Sequence, residues 1–200
     1  MVTHPQPLDH RVPERPFTLA MARDFGVSEH TLRVWTSNGT LAHPIRNVYH
    51  RAELADTLAL RVACLRLVVP ADAVVTDRTA GWLHGAPRIL APNDHLVVPP
   101  VSVFCPPGRR LRNGLTTSGE RTLTDADILS IEGLRVTTSL RTACDLGRLL
   151  HRDQAIAALD SLLRLDTFSQ AELLAQATEV PAPSRPSWRW HCATTPLDLG

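Results

Sequence analysis

Asp125 and Asp127 stand two residues apart, with Glu132 close behind. Grouped carboxylates can hold a divalent cation or exchange protons with a substrate. A nuclease of that kind would also place a lysine beside two carboxylates, and all 21 basic residues of the 200-residue chain are arginine. That absence also removes Schiff-base chemistry and the P-loop lysine. The three acids therefore read as solvated turn residues. His84, His95, Cys105 and the His191–Cys192 pair lack the spacing of zinc ligands, and no Cys-x-x-Cys occurs among Cys64, Cys105, Cys144 and Cys192. No catalytic residue, metal or cofactor is expected. His84 reads as the end of a helix, where an imidazolium meets the dipole. Arg109, Arg110 and Arg112, flanked by Gly108 and Asn113, form a basic loop that could face nucleic acid or an acidic partner, or be a solvated hairpin tip.

The strongest pattern lies in FTLAMARDFGVSEHTLRVWTSNGTL, from Phe17 onward. Gly26 falls where two helices joined by a tight turn need a residue without Cβ. Ala22 is the small residue of the crossing. Met21, Phe25, Val27, Leu32 and Trp35 are apolar at spacings that bury both inner faces, and Ser28 is placed to cap the second helix. Glu29, His30, Arg33 and Ser37 then point outward, as a recognition helix presents its residues to the major groove. Arg33 has the planar fork that matches guanine O6 and N7, with His30 a second base reader. Ser28, Thr31 and Ser37 are expected at phosphates. The following GTLAHPIRNVYHR reads as a β-ribbon turning around His43–Pro44, with Arg46 and Arg51 against the duplex backbone. The competing reading is a helical hairpin that contacts only protein. Residues 1 to 51 hold six arginines against four acids, so phosphate contacts are few unless a symmetric homodimer doubles them.

The elements that position these residues divide the chain into a disordered, proline-rich arm (1–14), a winged helix-turn-helix (15–51), an α/β effector domain (52–180) and a disordered or frame-altered tail (181–200). Leu54, Leu58, Val62, Leu65 and Val69 form one helical stripe, closed by Pro70. A helix over about 77–84 has Thr76 as its cap, with Gly85 and Pro87 closing it. Leu96–Val98 and Val101–Phe104 read as strands. Ile128–Ile131 and Leu134–Thr137 flank a Glu132–Gly133 hairpin turn in which glycine supplies the positive φ. A helix capped by Ser139 carries Leu140, Ala143, Cys144, Leu146 and Leu150. Gln154–Leu165 follows with Ile156, Leu159, Leu162 and Leu163 on one face, then Ser169–Ala177 behind a Ser169/Glu172 capping box. The fold class is thus mixed α/β (α+β), with a small sheet packed among helices.

Hydrophobic content of 44% with 20% charged residues fits a soluble globular chain. A net charge of +1 gives no global cationic field. No apolar run approaches the roughly 20 residues needed to span a bilayer, and the first residues lack the apolar core of a signal peptide. A cytoplasmic protein with free thiols, Cys64 and Cys144 in its core, is the expectation.

In its order of segments the chain resembles the AbiE-type (abortive infection) antitoxins of type IV toxin–antitoxin systems, in their actinobacterial branch. The likeness rests on NVYHR, DAVVTDRTAGWLHGAP, VSVFCPPGRR, DILSIEGLRVTTSLRTACDLGRLL and AIAALDSLLRL, and covers residues 17 to about 180. It implies a transcriptional regulator that binds promoter repeats of double-stranded DNA upstream of its own operon. It also implies that the body counteracts a nucleotidyltransferase toxin without a stable complex. Arg78 and Arg141 lie in the most family-like segments and, with the Arg109–Arg110–Arg112 loop, are candidates for an effector surface. Two departures stand out. The wing is poorer in arginine than in many relatives, and SRPSWRWHCATTPLDLG does not resemble the nuclease-like domain that many carry. The alternative reading is the non-catalytic arm of a restriction-like endonuclease protein that has lost its nuclease domain.

Overall fold

The computed structural model describes residues 12–86, 89, 100–105, 116–119 and 123–179. A short strand β1 (Phe17–Thr18) leads into α1 (Leu19–Asp24), a turn, and α2 (Glu29–Ser37). A hairpin of β2 (Leu41–Ile45) and β3 (Val48–Arg51) follows, and the three strands form an antiparallel sheet ordered β1-β3-β2. Each helix start is fixed by a hydroxyl. Thr18 accepts from the Met21 amide at 3.3 Å and Ser28 from the Thr31 amide at 3.1 Å, satisfying amides that have no partner within the helix. Gly26, at φ +73°, supplies the turn between them.

The body continues with α3 (Leu58–Arg66), β4 (Val74–Val75), α4 (Asp77–Leu83), β5 (Val101–Phe104) and β6 (Thr116–Gly119). After a 3-10 turn (Asp125–Asp127) come β7 (Ile128–Ile131), β8 (Leu134–Thr137), α5 (Ser139–Leu149), α6 (Arg152–Leu163) and α7 (Gln170–Glu179). Five strands pair in the order β6-β5-β4-β8-β7. The central β4 runs parallel to β8 and antiparallel to β5. Helices α4 and α5 leave the C-terminal ends of these two parallel strands, so the segments around Thr76 and Thr138 come together at one end of the sheet. The fold is mixed α/β, as the sequence indicated.

Three apolar clusters hold it. Val12, Phe17, Ala22, Val27, Leu32 and Leu41 form the N-terminal one. Ile45 and Val48 instead join Val62, Leu65, Val75, Val103 and Val136 in the body. Ala143, Leu146, Ala158, Leu162 and Phe168 form the third, between the C-terminal helices. Alternation along β3 explains the junction. Val48 faces the body cluster and Tyr49 the N-terminal one, because successive strand residues point to opposite faces. The hairpin is thus shared, and α2 is held against the body through it.

Several sequence expectations are corrected. Phe25 is 43% exposed, not buried; α1 stops at Asp24, so Phe25 lies beyond the helical face. The hairpin turns at Arg46–Asn47, not at His43–Pro44. Asn47 takes φ +68° and its Oδ1 accepts from the Leu19 amide at 3.3 Å, fixing the tip to α1. Pro44, which has no amide to donate, sits in the β-bulge between Ala42 and Ile45. Val12, expected within the disordered arm, is buried in the N-terminal cluster. α3 starts at Leu58 with Thr57 as its cap, leaving Leu54 outside the helix and Leu58 exposed. Thr138, not Ser139, caps α5. α6 begins at Arg152, and its buried face is Ala155, Ala158 and Leu162, while Ile156 is 56% exposed. The Ser169/Glu172 capping box has both reciprocal bonds, at 2.7 and 3.2 Å. Cys64 and Cys144 are buried, and burial pushes the Cys64 thiol up to about 12. Leu96–Val98 lies outside the described residues.

Candidate nucleic-acid interface and a buried charge cluster

With Leu32 fully buried, α2 turns Glu29, His30, Arg33 and Ser37 to solvent. Ser28 is exposed and Thr31 half-buried, and their hydroxyls share a 2.8 Å hydrogen bond. Glu29 pairs with Arg23 of α1 at 3.7 Å. The Ser37 hydroxyl donates back to the Val34 carbonyl at 2.9 Å. The hairpin lies beside this face. Burial raises the Tyr49 phenol above its ordinary pKa, Glu29 adds to that rise and Arg33 opposes it, so β3 and the start of α2 share one electrostatic neighbourhood. The Tyr49 ring stacks on His43, centroids 4.2 Å apart, and on Phe17 at 6.0 Å. Burial, then Arg46, lowers the His43 pKa and favours its neutral form.

Arg46 is exposed at the hairpin tip. Arg51 is placed differently from its expected role at the duplex backbone. Its guanidinium donates to the carbonyls of Val12 at 2.7 Å and Pro13 at 3.2 Å, and lies 3.5 Å from Glu53. It fastens the segment before β1 to the hairpin, and a phosphate would have to compete with those carbonyls. Between hairpin and body a cleft of about 290 Å³ is lined by His50, Asp56, Arg61, Cys64 and Trp82, among others. Arg61 is fully occupied there. It holds Asp56 at 2.6 and 2.7 Å, donates to the Trp82 carbonyl at 2.6 Å and lies 5.4 Å from the Trp82 ring centroid. The Asp56 carboxyl is held below its usual range by that hydrogen bond to Arg61.

Arg141 is no surface residue. It is 4% exposed and donates to Asp127 at 3.0 Å and to Asp145 at 3.2 Å; the two carboxylates are 6% and 4% exposed. The solvated-turn reading of Asp127 is overturned by the same contacts. Its Oδ2 also accepts from the Thr124 amide and hydroxyl, both at 2.8 Å. Burial alone would raise the Asp127 pKa, but the Thr124 bonds and Arg141 outweigh it and hold the carboxyl below its usual range. Asp125 is exposed. Among the described residues no three of His, Cys, Asp and Glu gather as metal ligands would.

Arg78 is half-buried and joins elements. It donates to the Ile89 carbonyl at 3.2 Å and to Gln154 of α6 at 3.0 Å. Arg109, Arg110 and Arg112 lie outside the described residues. His84 does follow α4, but its Nε2 bonds the Thr137 carbonyl at 2.8 Å, and burial lowers its pKa despite that bond. It is therefore a neutral tie between α4 and β8 and not a cation on the helix dipole. The Arg141–Asp145 contact has ordinary i,i+4 helical spacing, but the ties of Arg141 to Asp127, His84 to Thr137 and Arg78 to Gln154 could not be read from spacing, because they span 14, 53 and 76 residues.

No helix among the described residues is long and apolar enough to cross a membrane. No curated protein matches the chain. A solved structure, that of the RV2827C protein from Mycobacterium tuberculosis, aligns over 90% of this chain and 76% of its own at 15% identity, with a TM-score of 0.40. The model of the AbiEi antitoxin C-terminal domain matches residues 72–189. That span holds the five-stranded sheet, the Arg141 cluster and all of α4 to α7. By this match over more than half its length, the chain belongs to the AbiEi antitoxin family.

Proposed function

We propose that the chain is a DNA-binding transcriptional regulator and a type IV antitoxin, repressing its own operon and counteracting a nucleotidyltransferase toxin. It acts by binding, without catalysis. The observation that carries the DNA-binding half is the exposed stripe of α2 beside the β2–β3 hairpin, a winged helix-turn-helix in element order. Arg33 reads a guanine through its two parallel N–H groups, with His30 beside it. Ser28, Thr31 and Arg46 hold phosphates and set the register. A homodimer on repeated half-sites compensates for the small number of cations in each protomer. With Arg51 occupied internally, the phosphate contacts are fewer still, and a shallow salt dependence follows.

The family match supports the antitoxin half, and on this reading the body, which holds the matched residues, acts on the toxin. The test is a mobility shift with DNA from upstream of this gene, beside an unrelated fragment, at low and moderate salt. Selective binding that survives moderate salt is expected. Arg33→Ala should relax preference at one base pair by about 1–3 kcal/mol. Equal, salt-erased binding to both fragments would overturn the regulator reading.

A further inference from the structure

The outward stripe of α2 contains one residue that its polar neighbours do not explain. His30, Arg33, Val34 and Ser37 recur at i, i+3, i+4 and i+7, which places them on one face. Val34 lies within that stripe and is 44% exposed. Valine is a modest helix former, stiff at χ1, and here it gains little from burial. Leu32 and Trp35 supply the inward contacts. The Ser37 hydroxyl is folded back onto the Val34 carbonyl, so the isopropyl group is the forward feature between His30 and Ser37.

We propose that Val34 reads a thymine, packing its methyl groups against the C5-methyl in the major groove. The inference rests on the DNA-binding reading above. Thymine alone among the four bases presents a methyl group there. One valine framed by His30, Arg33 and Ser37 is far smaller than the roughly 1,000 Å² of a specific protein interface, yet matches a single methyl. An α-helix rises about 1.5 Å per residue against about 3.4 Å per base pair. Val34, about 1.5 Å of helix rise from Arg33, therefore falls within about one base pair of the guanine read by Arg33.

The experiment selects duplex sites from a random pool with the full chain, then replaces each thymine of the selected site by uracil, which removes only the methyl. Wild type and Val34→Ala are compared by fluorescence anisotropy, with thermal melts confirming that the exposed substitution leaves the fold intact. Burying one methyl is worth about 0.8 kcal/mol, or about fourfold in affinity. One thymine next to a guanine should lose about fourfold on conversion to uracil in wild type, and less than about twofold in Val34→Ala. A selected site with no methyl-sensitive thymine, or with equal sensitivity in both proteins, overturns the role of Val34 while leaving DNA binding in place. Failure to select any site overturns the DNA-binding reading and this inference with it.

Discussion

Replacing Arg141 with methionine would leave Asp127 and Asp145 buried without their cation. Both carboxylates are less than a tenth exposed, and both contact the guanidinium within hydrogen-bonding distance. Breaking a buried ion pair from one side costs about 3–5 kcal/mol, because the remaining charge is desolvated and uncompensated. For a domain of this size each kcal/mol shifts the melting temperature by about 2–4 °C, so a fall of roughly 6–20 °C is expected. Urea denaturation and calorimetry measure it. Arg141→Met combined with Asp127→Asn and Asp145→Asn should recover most of the loss, since the amide introduced at position 127 would keep an oxygen for Thr124 and no charge would stay unpaired. The pH dependence gives a second signature. The folded-state pKa of Asp127 is depressed, so its contribution is present above the unfolded value near about 3.9 and is lost as pH falls through the folded value. Without Arg141 the folded-state pKa rises, the folded variant binds protons more readily, and its deficit narrows as pH drops from 7 towards about 4. A deficit below about 1 kcal/mol that does not change with pH would refute the reasoning, because it would mean water reaches the cluster. The same result bears on function. Loss of toxin neutralisation in an Arg141 variant would report a broken fold, whereas Arg78, which is only half-buried, is the better probe of an effector surface.

Two further outcomes follow from local geometry. A Cβ on Gly81 of α4 would lie 2.3 Å from Cδ1 and 2.9 Å from Cγ1 of the buried Ile89. Overpacking of about 1–3 kcal/mol should outweigh the roughly 1 kcal/mol that alanine gains in helix propensity. Gly81→Ala should thus be destabilised in denaturant titrations and partly rescued by Ile89→Val, and a stabilised single variant would show that Ile89 yields freely. Glu132 sits at φ +45° ahead of Gly133 at φ +83° in the two-residue β7–β8 turn. Asn-Gly suits such a turn, so Glu132→Asn should stabilise by about 0.5–1 kcal/mol; calorimetry showing no gain would mean that the glutamate side chain offsets its backbone strain.

The two-helix turn was legible because its signals are local. Gly26, the Ser28 cap and the buried Ala22, Val27 and Leu32 each depend on near neighbours in the chain. The β7–β8 hairpin and the Ser169/Glu172 capping box were legible for the same reason. The mixed α/β class followed from changes of apolar period, and the family resemblance from a colinear series of segments. The central strand β4 escaped notice, because two valines carry no period and become a strand only when β5 and β8 pair on either side. Phe25 and Ile156 looked like core residues, but helix ends and helix rotation are set by packing and not by composition. Arg51 and Arg141 looked like surface cations, since arginine is seldom buried. Only the folded chain brings Val12 and Pro13 to the first and Asp127 to the second, over separations of 39, 38 and 14 residues. Sequence determined the helices, the β7–β8 hairpin and the family they belong to; tertiary structure decided the central strand and which charges face solvent, because burial and pairing depend on contacts that no local window contains.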